Sequence, residues 1–165
     1  MWAGDQATKR WALASLTPGQ IRPFLGEVLQ FTLVFNPGAA FSLGTGITPV
    51  FTFAMAAVAV AILVSLRRLN SRWWALALGL LLGGALGNLT DRLLRPPGFA
   101  HGHVVDFLML PHWPVFNVAD SAIVTAAALI ALAAFRGIDF DANPKSSTGA
   151  DEPSTGPDVE VNRRG

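Results

Sequence analysis

The sequence predicts a helical integral membrane protein, and three observations carry that reading. Of 165 residues, 52% are hydrophobic and only 14% are charged, against about 25% charged residues in a soluble domain; the mean hydropathy is +0.44. Three apolar runs approach the roughly 20 residues that a bilayer core requires of a helix. Arginines gather at one end of these runs, and acids and asparagines at the other. A net charge of +1 without a continuous basic patch argues against a nucleic-acid binder. With no cysteine, disulfides, thiolate metal sites and thiol catalysis are excluded.

The first element, MWAGDQATKRWALASL (residues 1–16), reads as the outer part of a helix. At a rise of about 1.5 Å per residue it is too short before Asp5 to cross a bilayer. Its order of charged and apolar residues is wrong for a cleavable leader. A first membrane helix cut short is the expectation, through a start site assigned too far downstream or through trimming. Within it, Asp5 and Lys9 form an i, i+4 pair whose plain role is to stabilise the helix, with the lysine snorkelling.

VLQFTLVFN (28–36) alternates strictly, with Leu29, Phe31, Leu33 and Phe35 on one face, and predicts a strand with one buried side. Asn-Pro-Gly at 36–38 ends it. Residues 47–66, ITPVFTFAMAAVAVAILVSL, form an uncharged first span. The RRLNSR linker follows, and residues 73–94 form the second span, meeting Asp91 and Arg92 near their end. The third span runs from about Val115 to Phe135, with Asp120 close to its start. Residues 138–165, rich in Asp, Pro, Ser, Gly and Thr, are expected to be a disordered cytoplasmic tail, leaving residues 1–137 as the membrane domain. Arg67, Arg68, Arg72 and Arg136 place the linker and tail in the cytoplasm by the positive-inside rule, so residues 17–46 and 95–114 are expected outside.

Ionisable groups at membrane depth cost about 2.5–3.5 kcal/mol each even on insertion scales, and usually face a bundle interior. Asn88, Asp91 and Arg92 share one helix face by spacing, as do Asn117 and Asp120. Two helices thus carry a polar stripe at one depth, which suggests a shared site. Asp106 and Asp120 then allow two readings. As a pair they share a proton and activate water against an amide, in the manner of aspartic proteases. Alternatively, Asp106 caps a short surface helix and Asp120 pairs with Arg92. A small transporter with an ion path through Asp106, Asp120 and Arg92 and a non-catalytic helical subunit are the rival functions. His101, His103 and His112 lack metal-site spacing and read as loop histidines. Ser42 lacks the flanking pattern of a nucleophile elbow and reads as a turn serine. The glycines of GGALG read as helix-packing residues.

The segments DQATK (5–9), FNPGAAFSLG (35–44), GGALGNLTDR (83–92), HVVDF (103–107) and FNVADSAI (116–123) resemble, in order and spacing, those of the lipoprotein signal peptidases, or signal peptidase II, the bacterial intramembrane aspartyl proteases. The resemblance covers Asp5 to about Arg136. It implies a four-helix transmembrane bundle with a small extracytoplasmic β-cradle and a loop helix, the first helix being truncated here. It implies that Asp106 and Asp120 are the catalytic pair, and that Asp5, Lys9, Asn36, Asn88, Asp91, Arg92 and Asn117 support or line the site. Asn117 would orient Asp120 or the scissile carbonyl, Asn88 and Arg92 would bind the substrate backbone, Asp91 would hold Arg92 or the neighbouring loop, and Asn36 would contact substrate from above. The implied substrate is a diacylglyceryl-modified prolipoprotein, cut before its lipobox cysteine by a monomer in the lipid of the bacterial plasma membrane. Water is the nucleophile, so no metal or organic cofactor is expected.

Overall fold

The computed structural model describes residues 1–38 and 48–140. They form helix α1 (Trp2–Ser15), strands β1 (Arg22–Leu25) and β2 (Leu29–Asn36), helix α2 (Thr48–Ser65) with a short 3-10 turn (Leu66–Arg68), helix α3 (Arg72–Leu94), strand β3 (Val104–Met109) and helix α4 (Val118–Phe135). Ser42 and the tail from residue 141 lie outside the described residues.

α2, α3 and α4 are long and apolar enough to cross a membrane. α1 has 14 residues, about 21 Å of helix against a hydrocarbon core of about 30 Å. α3 is central and packs against α1, α2 and α4. Its contact with α4 is close because small residues meet there, Gly84 and Gly87 on one side and Ala119 on the other, while Gly83 admits Met1 and Trp2 at the start of α1. At Gly84 a Cβ would lie 2.7 Å from both the Ala119 carbonyl oxygen and Ile123 Cγ1, so only glycine permits this approach. The two helices run antiparallel, with the Trp73 indole donating to the Leu129 carbonyl at 3.0 Å at the far end. That end also carries Arg72 and Arg136, opposite the acids. Trp74 there donates to the Ile138 carbonyl at 2.9 Å and meets Phe140 edge-on, so residues 138–140 pack on α3.

The strands form one antiparallel sheet in the order β1-β2-β3. Val105, Phe107 and Leu33 pack with Ala12 of α1 and with Leu16 just past its end, and Trp11 meets Phe31 and Phe107 edge-on. The strand expected at 28–36 forms, but its alternation does not survive. A register shift between Phe31 and Val34 buries both Thr32 and Leu33 and leaves Phe35 44% exposed. A bulge lets two successive side chains face the same way.

Residues 95–117, the region expected beside the loop helix, form turns and β3. Pro96, Pro97, Pro111 and Pro114 interrupt helical hydrogen bonding there, and Val104–Met109 pair with β2 instead. The third span starts at Val118 rather than Val115 because β3 turns back at Leu110–Trp113, Phe116 pairs with Leu108, and Asn117 caps the helix.

Candidate active site

The turn after β3 brings Asp106 and Asp120 to the same cavity although they lie on different elements. Asp106 sits in β3 opposite Val34 and is 2% exposed. It therefore caps no helix, which removes the structural alternative for this acid. Asp120 occupies the first turn of α4, half-buried.

Asn117 is the N-cap of α4 and joins the two acids. Its side-chain oxygen accepts from the Asp120 amide at 3.0 Å, while Asp120 Oδ2 accepts from the Asn117 amide at 3.1 Å. This reciprocal capping box satisfies two helix-end donors. With its oxygen so committed, the Asn117 NH2 group faces Asp106 and donates to Oδ1 at 2.6 Å. Asn36, at the end of β2, donates to Asp106 Oδ2 at 3.0 Å, its own oxygen accepting from the Gly38 amide. Asn88 of α3 donates to Asp120 Oδ1 at 2.8 Å. Each carboxylate oxygen thus receives one hydrogen bond from a fixed amide. Burial pushes the Asp106 carboxyl up to about 7, the negative charge of Asp120 adds to the rise, and Asn36, Asn117 and Lys9 pull against it.

Both acids open on a cavity of about 580 Å³. Asn36, Asn88 and Arg92 supply its polar wall, and Phe51, Met55, Leu81 and Ile123 contribute to an apolar floor. That combination suits an extended, largely apolar ligand held beside two titratable groups.

Behind the acids lies a buried ion cluster. Lys9 Nζ is 3.0 Å from Asp5 Oδ2 and 2.8 Å from Asp91 Oδ2, with all three side chains 0% exposed. Lys9 does not snorkel; the i, i+4 pair points into the protein because α3 supplies a second acid and an acceptor. Asp5 Oδ1 accepts from the Ala119 amide at 2.9 Å, tying α1 to the start of α4. Asp91 holds Arg95 at 2.6 Å and the Val105 amide at 3.2 Å. It therefore steadies β3 next to Asp106 rather than gripping Arg92.

Arg92 faces the other way. Its guanidinium donates to the carbonyls of Pro37 and Gly38 and lies 5.8 Å from the Phe51 ring centre. Asp120 is not its ion-pair partner; that carboxylate is held by Asn88 and Asn117. Arg92 is 3% exposed, and its Nε is the buried side-chain polar atom without a hydrogen-bond partner among the described residues.

Asn36, Asn88, Arg92, Asp106 and Asp120 thus line the cavity, Asn117 and Lys9 touch those lining residues, and Asp5 and Asp91 stand one contact further back, on Lys9. Two participants escape a reading of the sequence. Gln6 donates to the Gly87 carbonyl at 3.0 Å and to Asp5 at 3.2 Å, and nothing in its position singles it out. Arg95 lies at i+4 from Asp91, a spacing that could have revealed it. His101 and His112 are exposed, and among the described residues no group of three or more His, Cys, Asp or Glu side chains converges as a metal site would require.

Residues 1–136 match the family model described as signal peptidase (SPase) II. The chain is 50% identical over 153 residues to a lipoprotein signal peptidase of Mycolicibacterium smegmatis, an alignment covering 92% of this chain and 65% of that protein. A lipoprotein signal peptidase of Mycobacterium tuberculosis H37Rv is 51% identical over 137 residues, 83% of this chain and 68% of the relative. The chain thus spans about two thirds of the length of these relatives. Among solved structures, a bacterial membrane enzyme determined by the in meso method at 2.3 Å superposes with a TM-score of 0.74 at 26% identity, covering 92% of this chain and 88% of that one. A second, at 1.9 Å, gives 0.71 at 28% identity, covering 81% and 86%.

Proposed function

The chain belongs to the signal peptidase II family, and from that premise we propose that it is a membrane-embedded aspartyl endopeptidase acting on prolipoproteins, with Asp106 and Asp120 as its catalytic pair. The observation that carries this reading is that the two carboxylates open on one cavity and are both held by Asn117, Asp106 by its side-chain NH2 group and Asp120 by its backbone N–H.

Two acids in such a site ionise one at a time, because the second charge is opposed by the first. The ionised carboxylate takes a proton from water as its oxygen attacks the scissile carbonyl carbon. The protonated carboxyl donates to the carbonyl oxygen, giving a neutral tetrahedral diol. As the carbon–nitrogen bond breaks, the proton held by the first acid passes to the leaving nitrogen, and the second acid recovers its own. Fixed amides on all four carboxylate oxygens keep the acids in place through this exchange, so little reorganisation is required at the moment of reaction.

Arg92 is the substrate-backbone donor of the site. Arg92 lines the cavity, and its buried Nε–H has no partner among the described residues, so an acceptor brought there would gain a hydrogen bond worth about 1.5–3 kcal/mol with a charged donor. Asn88, committed to Asp120, is a holder of the acid, and Asn36 does the same for Asp106.

The substrate is a prolipoprotein bearing a diacylglyceryl cysteine, cut on the amino side of that residue. Acyl chains in the bilayer fix the scissile bond at one depth, which supplies proximity without a deep soluble cleft. α1 serves as the fourth helix of the bundle. The enzyme is a monomer of the bacterial plasma membrane with its site at the extracytoplasmic face, opposite the end that carries Arg67, Arg72 and Arg136.

The test is cleavage of a diacylglyceryl-modified lipobox peptide by purified protein in detergent. Wild type should cleave it, unlipidated peptide should be a poor substrate, and chelator should have no effect. Asp106→Asn and Asp120→Asn should each lose at least about two orders of magnitude, the range for removal of an acid–base group. A near-wild-type rate in either variant would remove that acid from the mechanism.

A further inference from the structure

Lys9 lies on α1, a helix that supplies no wall to the cavity, yet its ammonium is fully buried and reaches across to α3. An ammonium has three N–H donors and no acceptor, and the structure accounts for all three. They go to Asp5 Oδ2 at 3.0 Å, Asp91 Oδ2 at 2.8 Å and Asn88 Oδ1 at 2.8 Å. The first two acceptors neutralise the charge. The third is a neutral amide oxygen, and nothing about charge balance requires it.

Asn88 could in principle face either way, since its oxygen and nitrogen ends have nearly the same shape. Asn88 beside Lys9 has no such choice. Turning the NH2 group toward the ammonium would set donor against donor in a buried site, so the oxygen must face Lys9. That oxygen also accepts from Asn117 Nδ2 at 3.2 Å. The Asn88 NH2 group is then left pointing at Asp120 Oδ1, 2.8 Å away. Were the amide reversed, its oxygen would oppose the carboxylate and push Asp120 out of place.

We propose that Lys9 is a positioning residue: it fixes the orientation of the Asn88 amide and, through Asn88, holds Asp120 in its reactive place. This rests on the reading of Asp120 as one of the two catalytic acids. The buried ion cluster thereby does more than join α1 to α3. It converts the position of a helix outside the cavity into the direction of a hydrogen bond within it.

Removing Lys9 alone would strand two buried acids, so the test uses charge-balanced pairs. D5N/K9Q keeps an N–H donor at residue 9, and D5N/K9M lacks one; both delete one positive and one negative charge. The side-chain oxygen that D5N retains can still accept from the Ala119 amide in each. Purified full chains are compared for cleavage of the lipidated lipobox peptide in detergent, with thermal midpoints measured alongside. D5N/K9Q should keep at least about a third of wild-type kcat, and D5N/K9M should lose about tenfold or more with KM within about twofold, as expected for losing an interaction that acts on the chemical step. Equal kcat in two folded variants overturns the proposal, as does a loss confined to KM. Should D5N/K9M not fold, Asn88→Asp probes the same contact from the other side. Its carboxylate keeps a partner for Lys9 but sets an anion against Asp120 Oδ1, so kcat should fall about a hundredfold, and retained kcat overturns the proposal. Full activity of Asp120→Asn would instead overturn the reading of the catalytic pair, whatever the Lys9 variants do.

Discussion

The Asn117 amide donates to Asp106 Oδ1 across 2.6 Å, tying the first turn of α4 to the middle of β3. The same side chain accepts from the Asp120 backbone at 3.0 Å, so one residue both ends a loop and spaces the two acids. Asn117→Ala should therefore act on stability and chemistry together. Loss of the cap should cost about 1 kcal/mol, read as a lower thermal midpoint in detergent. In addition kcat should fall at least tenfold with little change in KM, because a positioned acid is lost rather than a substrate contact. Asn117→Ser, which keeps a cap oxygen but has no amide to donate to Asp106, should restore the midpoint and not the rate. Recovery of both would deny Asn117 any part beyond capping.

The three spans were legible because twenty apolar residues in a row have few other destinations, and the sheet partly so, because β2 is bounded by a turn signal. The bulge was not, since strict alternation in the sequence gives no sign of where pairing slips a residue. The site divides the same way. Spacing puts Asn88, Asp91 and Arg92 on one helical face, but it does not say what each will meet. Those partners are remote in the chain: Lys9 for Asn88 and Asp91, Pro37 and Gly38 for Arg92, Ala119 for Asp5. Neighbouring Asp91 and Arg92 consequently serve different ends, and Lys9, whose spacing suggested a surface role, is buried.

Burial raises the Asp106 carboxyl from 3.8 to about 7, and its sign sets a pH dependence of folding. Between these values the folded chain binds more protons at this group than the unfolded chain does. Its contribution to stability is thus complete below about pH 4 and is lost as pH rises through about 7. Thermal midpoints in detergent should fall from pH 5 to pH 8 for the wild type and change less for Asp106→Asn. Parallel curves for the two proteins would show that Asp106 is not the group responsible. The rate of peptide cleavage should also decline above about pH 7, where the pair loses its shared proton.

Asp91 joins α1, α3 and β3 through Lys9, Arg95 and the Val105 amide. Asp91→Ala leaves Lys9 short of one counter-charge, frees Arg95 and strands a buried backbone donor. Breaking a buried ion pair from one side costs about 3–5 kcal/mol. The variant should accumulate poorly in membranes and melt well below wild type, whereas Asp91→Asn, which keeps an acceptor, should lose less. An Asp91→Ala protein as stable as wild type would mean that the cluster contributes nothing to the fold.

Gly87 tests how α1 is seated. A Cβ there would lie 2.5 Å from Asp5 Oδ2, closer than unbonded atoms tolerate, and a tight 3.2 Å from the Ala119 side chain. Gly87→Ala improves helix propensity by about 1 kcal/mol, so any net loss must come from the collision, which should cost about 1–3 kcal/mol. A lower midpoint is expected, with kcat reduced because Asp5 also holds the Ala119 amide at the base of Asp120. A stabilised, fully active variant would show that α1 can shift without disturbing the acids.

Arg92 is the sharpest probe of the substrate side. Its terminal nitrogens hold the Pro37 and Gly38 carbonyls, while Nε–H meets no acceptor among the described residues. Lysine keeps the charge but has no Nε–H and no planar fork. If the guanidinium grips the substrate backbone, Arg92→Lys should raise KM about tenfold and lower kcat less, since a contact made equally in the bound and transition states is lost from both. If it only pins the chain at 37–38, the variant should instead lose thermal stability with KM unchanged. Measuring KM and the melting midpoint on the same preparation separates the two, and the unpartnered Nε predicts the first.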